Sequence, residues 1–178
     1  MKKIIILDKG LPYLLNHINH PTGGASVQTR NWMYGFENHE LESIIVSSEN
    51  VKNNSEFIIE KDLLDDNRSF FLLPKLFFLN FNLLKKYSPD FIYSSIPSWS
   101  NIFFLIPALI LRIKFIQRIS NDNLVDDSSS NFYGGRLKRF LYFLNLYFTS
   151  NIVCQNDYQL LKLKSRYPKK NIFKLYNA

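Results

Sequence analysis

Two adjacent glycines near the amino terminus are the first residues with a clear chemical use. Gly23 and Gly24 follow an apolar segment, Lys3–Asp8, and a long loop, and they precede a helical pattern that begins at Ala25. The first N–H groups of a helix have no partner within the helix, and they attract anions such as phosphate. Glycine also lets a ligand approach the backbone closely. The pattern predicts an anion-binding turn at Gly23 and Gly24, and the alternative is a flexible hinge that opens the helix.

The spacing of these glycines excludes two better-known phosphate motifs. The turn is not G-x-G-x-x-G, and no Gly-Lys-Ser/Thr sequence follows it. Neither a classical dinucleotide fingerprint nor a P-loop is therefore present.

A polar run that begins at Arg118 forms the second candidate. Arg118 lies two residues before the predicted end of a strand, and Asn121 and Asp122 begin the loop that follows. A guanidinium can hold a phosphate through two parallel hydrogen bonds, and the other two side chains can reach a sugar hydroxyl. We therefore take Arg118, Asn121 and Asp122 as catalytic candidates. The alternative is that Arg118 pairs with a neighbouring carboxylate and that Asn121 caps a turn.

Histidines and hydroxyls around the glycine turn are candidates for contacting a substrate. These residues are His17, His20, Thr22 and Ser26, and the alternative for the two histidines is an ordinary loop. No Cys or His cluster joins the histidines, so no metal site is expected. A serine hydrolase is excluded because the chain has no G-x-S-x-G elbow and no histidine late in the sequence.

The segments that must position these residues alternate between strand and helix patterns. Several strand segments are continuous apolar runs, which is typical of strands buried on both faces. The predicted strands are Lys3–Asp8, Leu41–Ser47, Glu56–Glu60, Asp90–Ser95, Lys114–Ser120, Asn151–Gln155 and Asn171–Leu175. The predicted helices are Ala25–Glu37, Lys75–Tyr87, Trp99–Ile113, Arg136–Phe148 and Asp157–Tyr167, the last capped by Asn156 or Asp157. This order predicts an α/β, Rossmann-like fold: a mostly parallel sheet of about seven strands with helices on both faces.

Two predicted loops, 9–22 and 121–135, are longer than a simple connection requires. Both follow strands, so both lie at the carboxyl edge of the sheet, where open α/β sheets bind ligands. Long loops at that edge are commonly functional. We therefore expect the candidate residues to share one site there.

The charge is unevenly distributed along the 178 residues, which are expected to form a single domain. The formal net charge is +7, and the chain from Arg112 onward holds twelve of the 22 Lys and Arg residues but only four of the 15 Asp and Glu residues. Such an excess favours anionic partners, namely phosphates, acidic lipid surfaces or nucleic acid, or it is a solvated basic surface. Within the late basic cluster Lys162–Lys170 only Tyr167 is aromatic, so nucleic-acid binding is not expected.

The single cysteine and the apolar runs bear on location. One cysteine, Cys154, cannot build a disulfide framework, and this fits a reducing compartment. The apolar stretch at the amino terminus is too short for a signal peptide. The apolar run Ile102–Leu111 is shorter than the roughly 20 residues that a membrane span needs. The expected location is the cytoplasm, and peripheral contact with the inner face of the membrane is left open.

Four segments in a fixed order carry a family resemblance. They are the first strand with Pro21–Gly24, then Pro89–Ser94, then Phe115–Asp122, and finally Val153–Gln159 with Ile172–Asn177. Together they resemble the amino-terminal, acceptor-side domain of glycosyltransferase family 4, whose members have two facing Rossmann-like domains (the GT-B fold). Each motif is weak alone, but the order and spacing cover essentially all 178 residues.

The resemblance implies a reaction and assigns roles to the candidates. It implies transfer of a sugar from a nucleotide-sugar to a polysaccharide or glycolipid acceptor, with retained configuration and with no metal or covalent cofactor. It implies that Gly23 and Gly24 approach the donor diphosphate and that Arg118–Asp122 face the reacting sugar and the acceptor. On this resemblance the expected acceptor-binding residues are His17, His20, Thr22 and Ser26. Many relatives carry His or Asp where this chain has the Arg118–Asp122 segment, so the chain departs from the family there.

The donor-binding carboxyl-terminal domain of that family has no counterpart in residues 1–178. We therefore expect the isolated chain to be inactive as a transferase. Three origins are open: a fragment of a longer enzyme, one half of a split enzyme whose partner is a separate donor-domain protein, or a decayed gene product. Two alternatives remain at this stage. One is a non-catalytic Rossmann-like module that binds a phosphate ligand, and the other is a basic nucleic-acid-binding protein.

Overall fold

A single parallel sheet organises the computed structural model, which describes residues 1–18, 23–37, 39–47, 58–61, 73–126 and 135–175. Its strands are β1 (Lys2–Leu7), β2 (Leu41–Ser47), β3 (Ile58–Lys61), β4 (Phe91–Ser94), β5 (Lys114–Arg118), β6 (Asn151–Cys154) and β7 (Asn171–Lys174). The helices of these ranges are α1 (Leu11–Leu15), α2 (Gly24–Glu37), α3 (Leu73–Tyr87), α4 (Ile102–Ile110), α5 (Arg136–Phe148) and α6 (Asp157–Arg166). The strand order is β3-β2-β1-β4-β5-β6-β7, and every neighbouring pair is parallel. The predicted Rossmann-like sheet is confirmed.

Helices cover both faces of the sheet because strand side chains alternate between the two faces. Ile5 and Leu7 of β1 pack in one cluster with α3 and α4, and we call this side the α4 face. Ile4 and Ile6 pack in another cluster with α1 and α2, and we call that side the α2 face. A third cluster joins α5 and α6 to β6. The predicted layering is therefore confirmed as well.

Some predicted boundaries were wrong. The segment 9–22 is not a plain loop, since the five-residue helix α1 lies within it. The predicted helix Trp99–Ile113 is a short 3₁₀ turn followed by α4, which ends at Ile110. The loop after β5 contains a second 3₁₀ turn at Asp122–Leu124. Short helical turns escape sequence analysis because they are too short to show a helical period.

Among the described helices α4 is the most apolar, and a side chain of α3 compensates for the proline inside it. Pro107 has no N–H, so the carbonyl of Phe103, one turn earlier, loses its helical donor. The Asn80 side chain of α3 donates its Nδ2–H to that carbonyl at 3.1 Å. Asn80 is fully buried, so this bond also joins α3 to α4 in the core. Among the described helices, α4 included, none is long and apolar enough to cross a bilayer.

We predict that Asn80→Ala lowers the free energy of unfolding by about 1–3 kcal/mol, because it leaves the half-buried Phe103 carbonyl without a donor. In a Pro107→Ala background the helix supplies its own N–H to that carbonyl, so the same change should cost less. Urea denaturation of the four proteins of this double-mutant cycle measures the coupling. Equal costs in the two backgrounds would contradict the assigned role of Asn80.

Candidate functional site

A pocket of about 580 Å³ opens at the carboxyl edge of the sheet. It lies between the start of α2 and the segments that follow β4, β5 and β6. The described residues lining it include Gly23, Gly24, Gln28, Asn31, Ile96, Pro97, Arg118, Ser120, Asn121 and Gln155. Two of the sequence candidates, the glycine turn and the Arg118 segment, are thus brought together as expected. Ligands of open α/β sheets bind at this edge.

The glycine turn forms the start of α2 and faces open space. The Gly23 carbonyl accepts hydrogen bonds from the N–H groups of Ser26 (3.0 Å) and Val27 (3.4 Å). The N–H groups of Gly24 and Ala25 precede the first helical bonds, so no carbonyl of the helix can accept from them. Two backbone donors and the positive end of the α2 dipole therefore lie at the pocket, whose lining includes Gly24 and Ala25.

Glycine is not required at positions 23 and 24 for its backbone conformation. Neither Gly23 nor Gly24 has a positive φ, and a Cβ added to either would meet no atom within 4 Å. The fold alone therefore does not require glycine here. A side chain at either position would instead fill the space in front of the turn, and a ligand would need that space.

Arg118 reaches the pocket from the end of β5, and strand periodicity decides its direction. Phe115 packs on the α4 face and Ile116 on the α2 face, so Arg118 also points to the α2 face. Its Nη1 donates to the Ala25 carbonyl at 3.1 Å, and its Nη2 donates to Gln28 Oε1.

Two further groups complete the surroundings of the guanidinium. The Arg118 Cζ lies 5.5 Å from the centre of the Trp32 ring. The Gln155 amide, with its oxygen toward the guanidinium, accepts from Nε at 3.2 Å and also from Nη2. Arg118 is therefore held by α2 on one side and by the segment after β6 on the other.

The buried charge of Arg118 has only neutral hydrogen-bond partners. The side chain is 2% exposed, and no carboxylate of the described residues pairs with it. Among the described residues, Arg118 therefore does not pair with a carboxylate. Arg118 is also the one ionisable side chain among the described residues that line the pocket. A desolvated cation with neutral partners gives the pocket a positive potential that favours an anion.

Asp8 positions the glycine turn, and sequence reasoning did not single it out as a site residue. Its Oδ1 accepts from the N–H groups of Gly10 (2.9 Å) and Leu11 (3.0 Å) and from the Ser26 hydroxyl (2.7 Å). The end of β1, the start of α1 and the first turn of α2 therefore meet at one carboxylate. Ser26, expected to contact an acceptor, is buried beneath the pocket and its hydroxyl donates to Asp8.

A buried amide network supports the pocket from the α4 face. Gln117 donates to the carbonyls of Ser94 (3.3 Å) and Arg118 (3.0 Å), and its Oε1 accepts from Asn101 at 3.0 Å. Asn101 also donates to the Ser94 hydroxyl at 2.7 Å. These bonds join the carboxyl ends of β4 and β5 to the start of α4. Gln117 therefore stabilises the site from the α4 face, and its neighbour Arg118 stabilises it from the α2 face.

Asn121 and Asp122 take different positions. Asn121 lines the pocket, and its Oδ1 accepts from the Asn123 N–H at 3.0 Å, so the expected turn cap is confirmed. Asp122 accepts from Asn156 Nδ2 (2.9 Å) and Gln159 Nε2 (2.8 Å), which orients its exposed carboxylate at the start of α6. Asn156, not Asp157, caps α6 by accepting from the Gln159 N–H at 2.8 Å.

The histidine candidates contribute no described pocket contact. His17 is exposed, has a positive φ of 54° and follows α1, and it is not among the described lining residues. His20 and Thr22 lie outside the described residues. Within the described ranges, no group of three His, Cys, Asp or Glu side chains is placed to hold a metal ion.

Tyr93 of β4 lies behind Arg118 on the α2 face. Burial raises the pKa of Tyr93 above its ordinary value, and the nearby Arg118 guanidinium only partly opposes this effect. The Tyr93 ring also meets the Trp32 ring edge-on, with centroids 5.6 Å apart. Tyr93 is therefore a neutral phenol that helps to enclose the guanidinium.

The fold resembles halves of several solved structures, although the sequence matches no protein-family model and no curated protein. MurG of Acinetobacter baumannii aligns at TM-score 0.60 and 10% identity, over 100% of this chain and 46% of that one. Sucrose-phosphate synthase from Thermosynechococcus elongatus aligns at 0.62 and 12%, over 98% and 47%. UDP-GlcNAc 2-epimerase from Neisseria meningitidis, solved with UDP-GlcNAc, aligns at 0.62 and 10%, over 99% and 47%. The chain spans less than half of each, and its fold is one Rossmann-like half of the GT-B type.

We predict that Tyr93→Phe makes the protein less sensitive to alkaline unfolding. The unfolded phenol ionises near pH 10, whereas the buried phenol stays protonated at that pH. Above pH 10 the unfolded state is therefore favoured, and stability falls by up to about 1.4 kcal/mol per pH unit. Denaturation between pH 9 and 11 should show a shallower fall for Tyr93→Phe than for the wild type. Identical slopes would contradict the assigned burial.

Proposed function

We propose that residues 1–178 form the acceptor-side domain of a retaining glycosyltransferase of the family 4 type. The enzyme transfers a sugar from a nucleotide-sugar to a polysaccharide or glycolipid acceptor, and the pocket beside Arg118 is this domain's wall of the reaction cleft. The observation that carries the proposal is the meeting of a buried guanidinium without a carboxylate partner and an open helix start in one pocket.

The chemistry of glycosyl transfer explains why such a wall is useful. Negative charge grows on the leaving diphosphate as the glycosidic bond breaks, and fixed N–H donors stabilise that charge without reorganisation. The N–H groups of Gly24 and Ala25 and the α2 dipole supply such donors. Arg118 adds a full positive charge, and its packing against Trp32 keeps that charge in place.

The remaining candidates take narrower roles in this proposal. Asn121 lines the pocket and offers its amide to a sugar hydroxyl, while Asp122 presents an oriented carboxylate beside it. Ser26 acts through Asp8 to hold the glycine turn rather than by touching the acceptor. His17, His20 and Thr22 remain acceptor contacts to be tested. The proposal involves no metal and no covalent cofactor.

The names of the structural neighbours support a nucleotide-sugar as the ligand. MurG and sucrose-phosphate synthase share this half of their fold with an epimerase that was solved with UDP-GlcNAc. In the proposed enzyme a second, donor-binding half provides the facing wall, either on the same polypeptide or as a separate donor-domain protein. The proposal includes a cytoplasmic location with peripheral contact at the inner face of the membrane.

A non-catalytic module that binds a phosphate ligand is the second candidate. The specific observation in its favour is the lining of the pocket, where the described residues include one cation and no carboxylate or histidine for proton transfer. Such a module binds a nucleoside diphosphate equally well with or without a donor-binding half. Transfer upon addition of that half separates the two functions.

We predict that Gly24→Ala weakens binding of UDP without lowering stability. A Cβ at Gly24 clashes with nothing in the free protein, so any loss reports a ligand that must approach the turn. Titration of ¹⁵N-labelled protein should move the Gly24 and Ala25 amide signals with UDP and with pyrophosphate, and uridine should leave them in place.

Gly35→Ala is the matched control for this experiment. Gly35 belongs to the same helix, has equal free space for a Cβ and lies outside the pocket lining. It should keep wild-type affinity. Equal affinity of Gly24→Ala and the wild type, or UDP-induced shifts confined to another surface, would contradict the proposed contact.

We predict that residues 1–178 alone show no sugar transfer with a panel of nucleotide-sugars and glycan or lipid-linked acceptors, because the facing wall is missing. Turnover is measured by release of the nucleoside diphosphate. Activity should appear when a donor-binding Rossmann-like domain is supplied, for which an adjacent reading frame is the first place to look. Robust transfer by the isolated chain would refute the two-wall requirement.

A further inference from the structure

An apolar groove lies beside α2 on the α2 face of the sheet, next to the pocket. Its volume is about 550 Å³, and its described lining contains no Asp, Glu, Lys or Arg. Polar groups that enter such a groove lose their hydrogen bonds to water, so it favours hydrocarbon over a sugar. We define the apolar groove by six of its lining residues: Trp32 and Gly35 of α2, Phe91 of β4, Ile116 of β5, Val153 of β6 and Leu175 after β7.

The groove is open because the described helices cover the two faces of the sheet unevenly. Helices α1 and α2 pack over β1, β2 and β4 on the α2 face. Helices α5 and α6 pack with Ile152 and Cys154 of β6. Val153 lies between these two residues, so it points to the opposite face, beside α2. Among the described helices, only α2 therefore borders the groove.

Three elements of the fold lead from the groove into the pocket. Asn31 of α2 lines both cavities. On β5, Arg118 lines the pocket, and Ile116, two residues earlier on the same face, lines the groove. Gln155 and Val153 have the same relation at the end of β6. The two cavities are therefore one continuous site with a cationic end and an apolar end.

Trp32 marks the border between these two ends. Its ring lines the groove, and the Arg118 Cζ lies 5.5 Å from the centre of that ring. The side chains that accept hydrogen bonds from the guanidinium, Gln28 and Gln155, line the pocket instead. A ligand that fills both ends must therefore carry an anionic group directly beside an apolar chain.

Gly35 leaves room for such a chain at the apolar end. It lies inside α2, where glycine destabilises a helix relative to alanine. Its φ is not positive, and a Cβ at this position would meet no atom within 4 Å. Neither the backbone nor the packing of the free protein therefore requires glycine. The missing side chain keeps the groove open beside the helix backbone.

We propose that the pocket and the apolar groove together bind a phosphate monoester that carries a single hydrocarbon chain. The phosphate lies at the start of α2 beside Arg118, where its charge is complementary to the buried guanidinium. The chain lies along Gly35, where it is removed from water. One chain is expected because a single apolar groove of the described residues adjoins the pocket.

This lipid phosphate and a nucleotide-sugar exclude each other. The exclusion rests on the proposed function, because the phosphate occupies the place that the donor diphosphate takes there. The lipid phosphate is thus a competitive inhibitor of donor binding and not the acceptor of the sugar. Its concentration regulates how much of the protein is free to bind the donor.

Titration with inorganic phosphate and with butyl, hexyl, octyl and decyl phosphate tests the proposal in solution, each ester below its critical micelle concentration. Affinity should rise about fourfold for each methylene that enters the groove, as expected for burial of one CH₂ group. In ¹⁵N-labelled protein all five ligands should move the Gly24 amide signal, whereas the Gly35 signal should move with the longer chains alone. Octyl phosphate should weaken UDP binding competitively.

Two variants place the chain in the groove. Gly35→Leu fills the groove, and leucine is a better helix former than glycine. This variant should bind octyl phosphate no more tightly than butyl phosphate, and it should keep wild-type affinity for inorganic phosphate and UDP. Leu175→Gln leaves α2 unchanged and makes the groove more polar, so it should weaken binding of octyl phosphate at least about fourfold.

Tyr34→Leu is the matched control for Gly35→Leu. Tyr34 is the preceding residue of α2, is 54% exposed and lines neither cavity. This variant should give the wild-type dependence on chain length. Circular dichroism verifies the fold of each protein.

Four results would overturn the proposal. They are affinity that does not depend on chain length, a chain-length dependence that Gly35→Leu retains, simultaneous binding of octyl phosphate and UDP, and self-association of the wild type that Gly35→Leu abolishes. The last result would assign the groove to a second copy of the chain. A flat chain-length series would leave UDP binding in the pocket intact. Absence of UDP binding beside a steep series would overturn the proposed function and the competition, and it would support the lipid-phosphate site.

Discussion

A buried guanidinium with neutral partners sets the character of the carboxyl edge of this sheet. Removing an unpaired cation from water costs several kcal/mol, and the packing of the surrounding residues must supply that energy. Arg118 meets the cost with hydrogen bonds to Ala25, Gln28 and Gln155 and with the Trp32 ring. An anion in the pocket would offset part of it. The side chain that joins α2 to the segment after β6 is thus also the one that favours an anionic ligand.

The geometry around Arg118 follows from two regularities of the fold. Alternation along β5 places Arg118 on the α2 face and Gln117 on the α4 face, where the amide network of Ser94 and Asn101 holds the strand ends together. Asp8, which follows β1, accepts from Ser26 and holds the first turn of α2, where the Ala25 carbonyl accepts from Arg118.

Residue types and strand order made much of this site predictable from the sequence. A polar run after an apolar strand identified Arg118 and Asn121, and paired glycines before a helical pattern identified the turn. The partners of Arg118 were not predictable, because Gln28 lies 90 residues away and its amide carries no local signal. Asp8 could have been found, since an acidic residue directly after a strand and before a glycine is a common turn and cap pattern. Pro107 predicts that a carbonyl one turn earlier lacks its helical donor. That Asn80 supplies the donor to Phe103 was not predictable, because the bond depends on packing between two helices.

The affinity of the pocket for UDP in Arg118→Met and Arg118→Lys proteins tests the central claim most directly. Methionine keeps much of the apolar stem without the charge, and lysine keeps the charge without the planar fork. With folding verified, calorimetric titration should give affinity at least about tenfold weaker for methionine and intermediate for lysine, as expected for loss of a buried positive charge beside a bound anion. Wild-type affinity in the folded Arg118→Met protein would show that the buried charge is purely structural and would contradict the account.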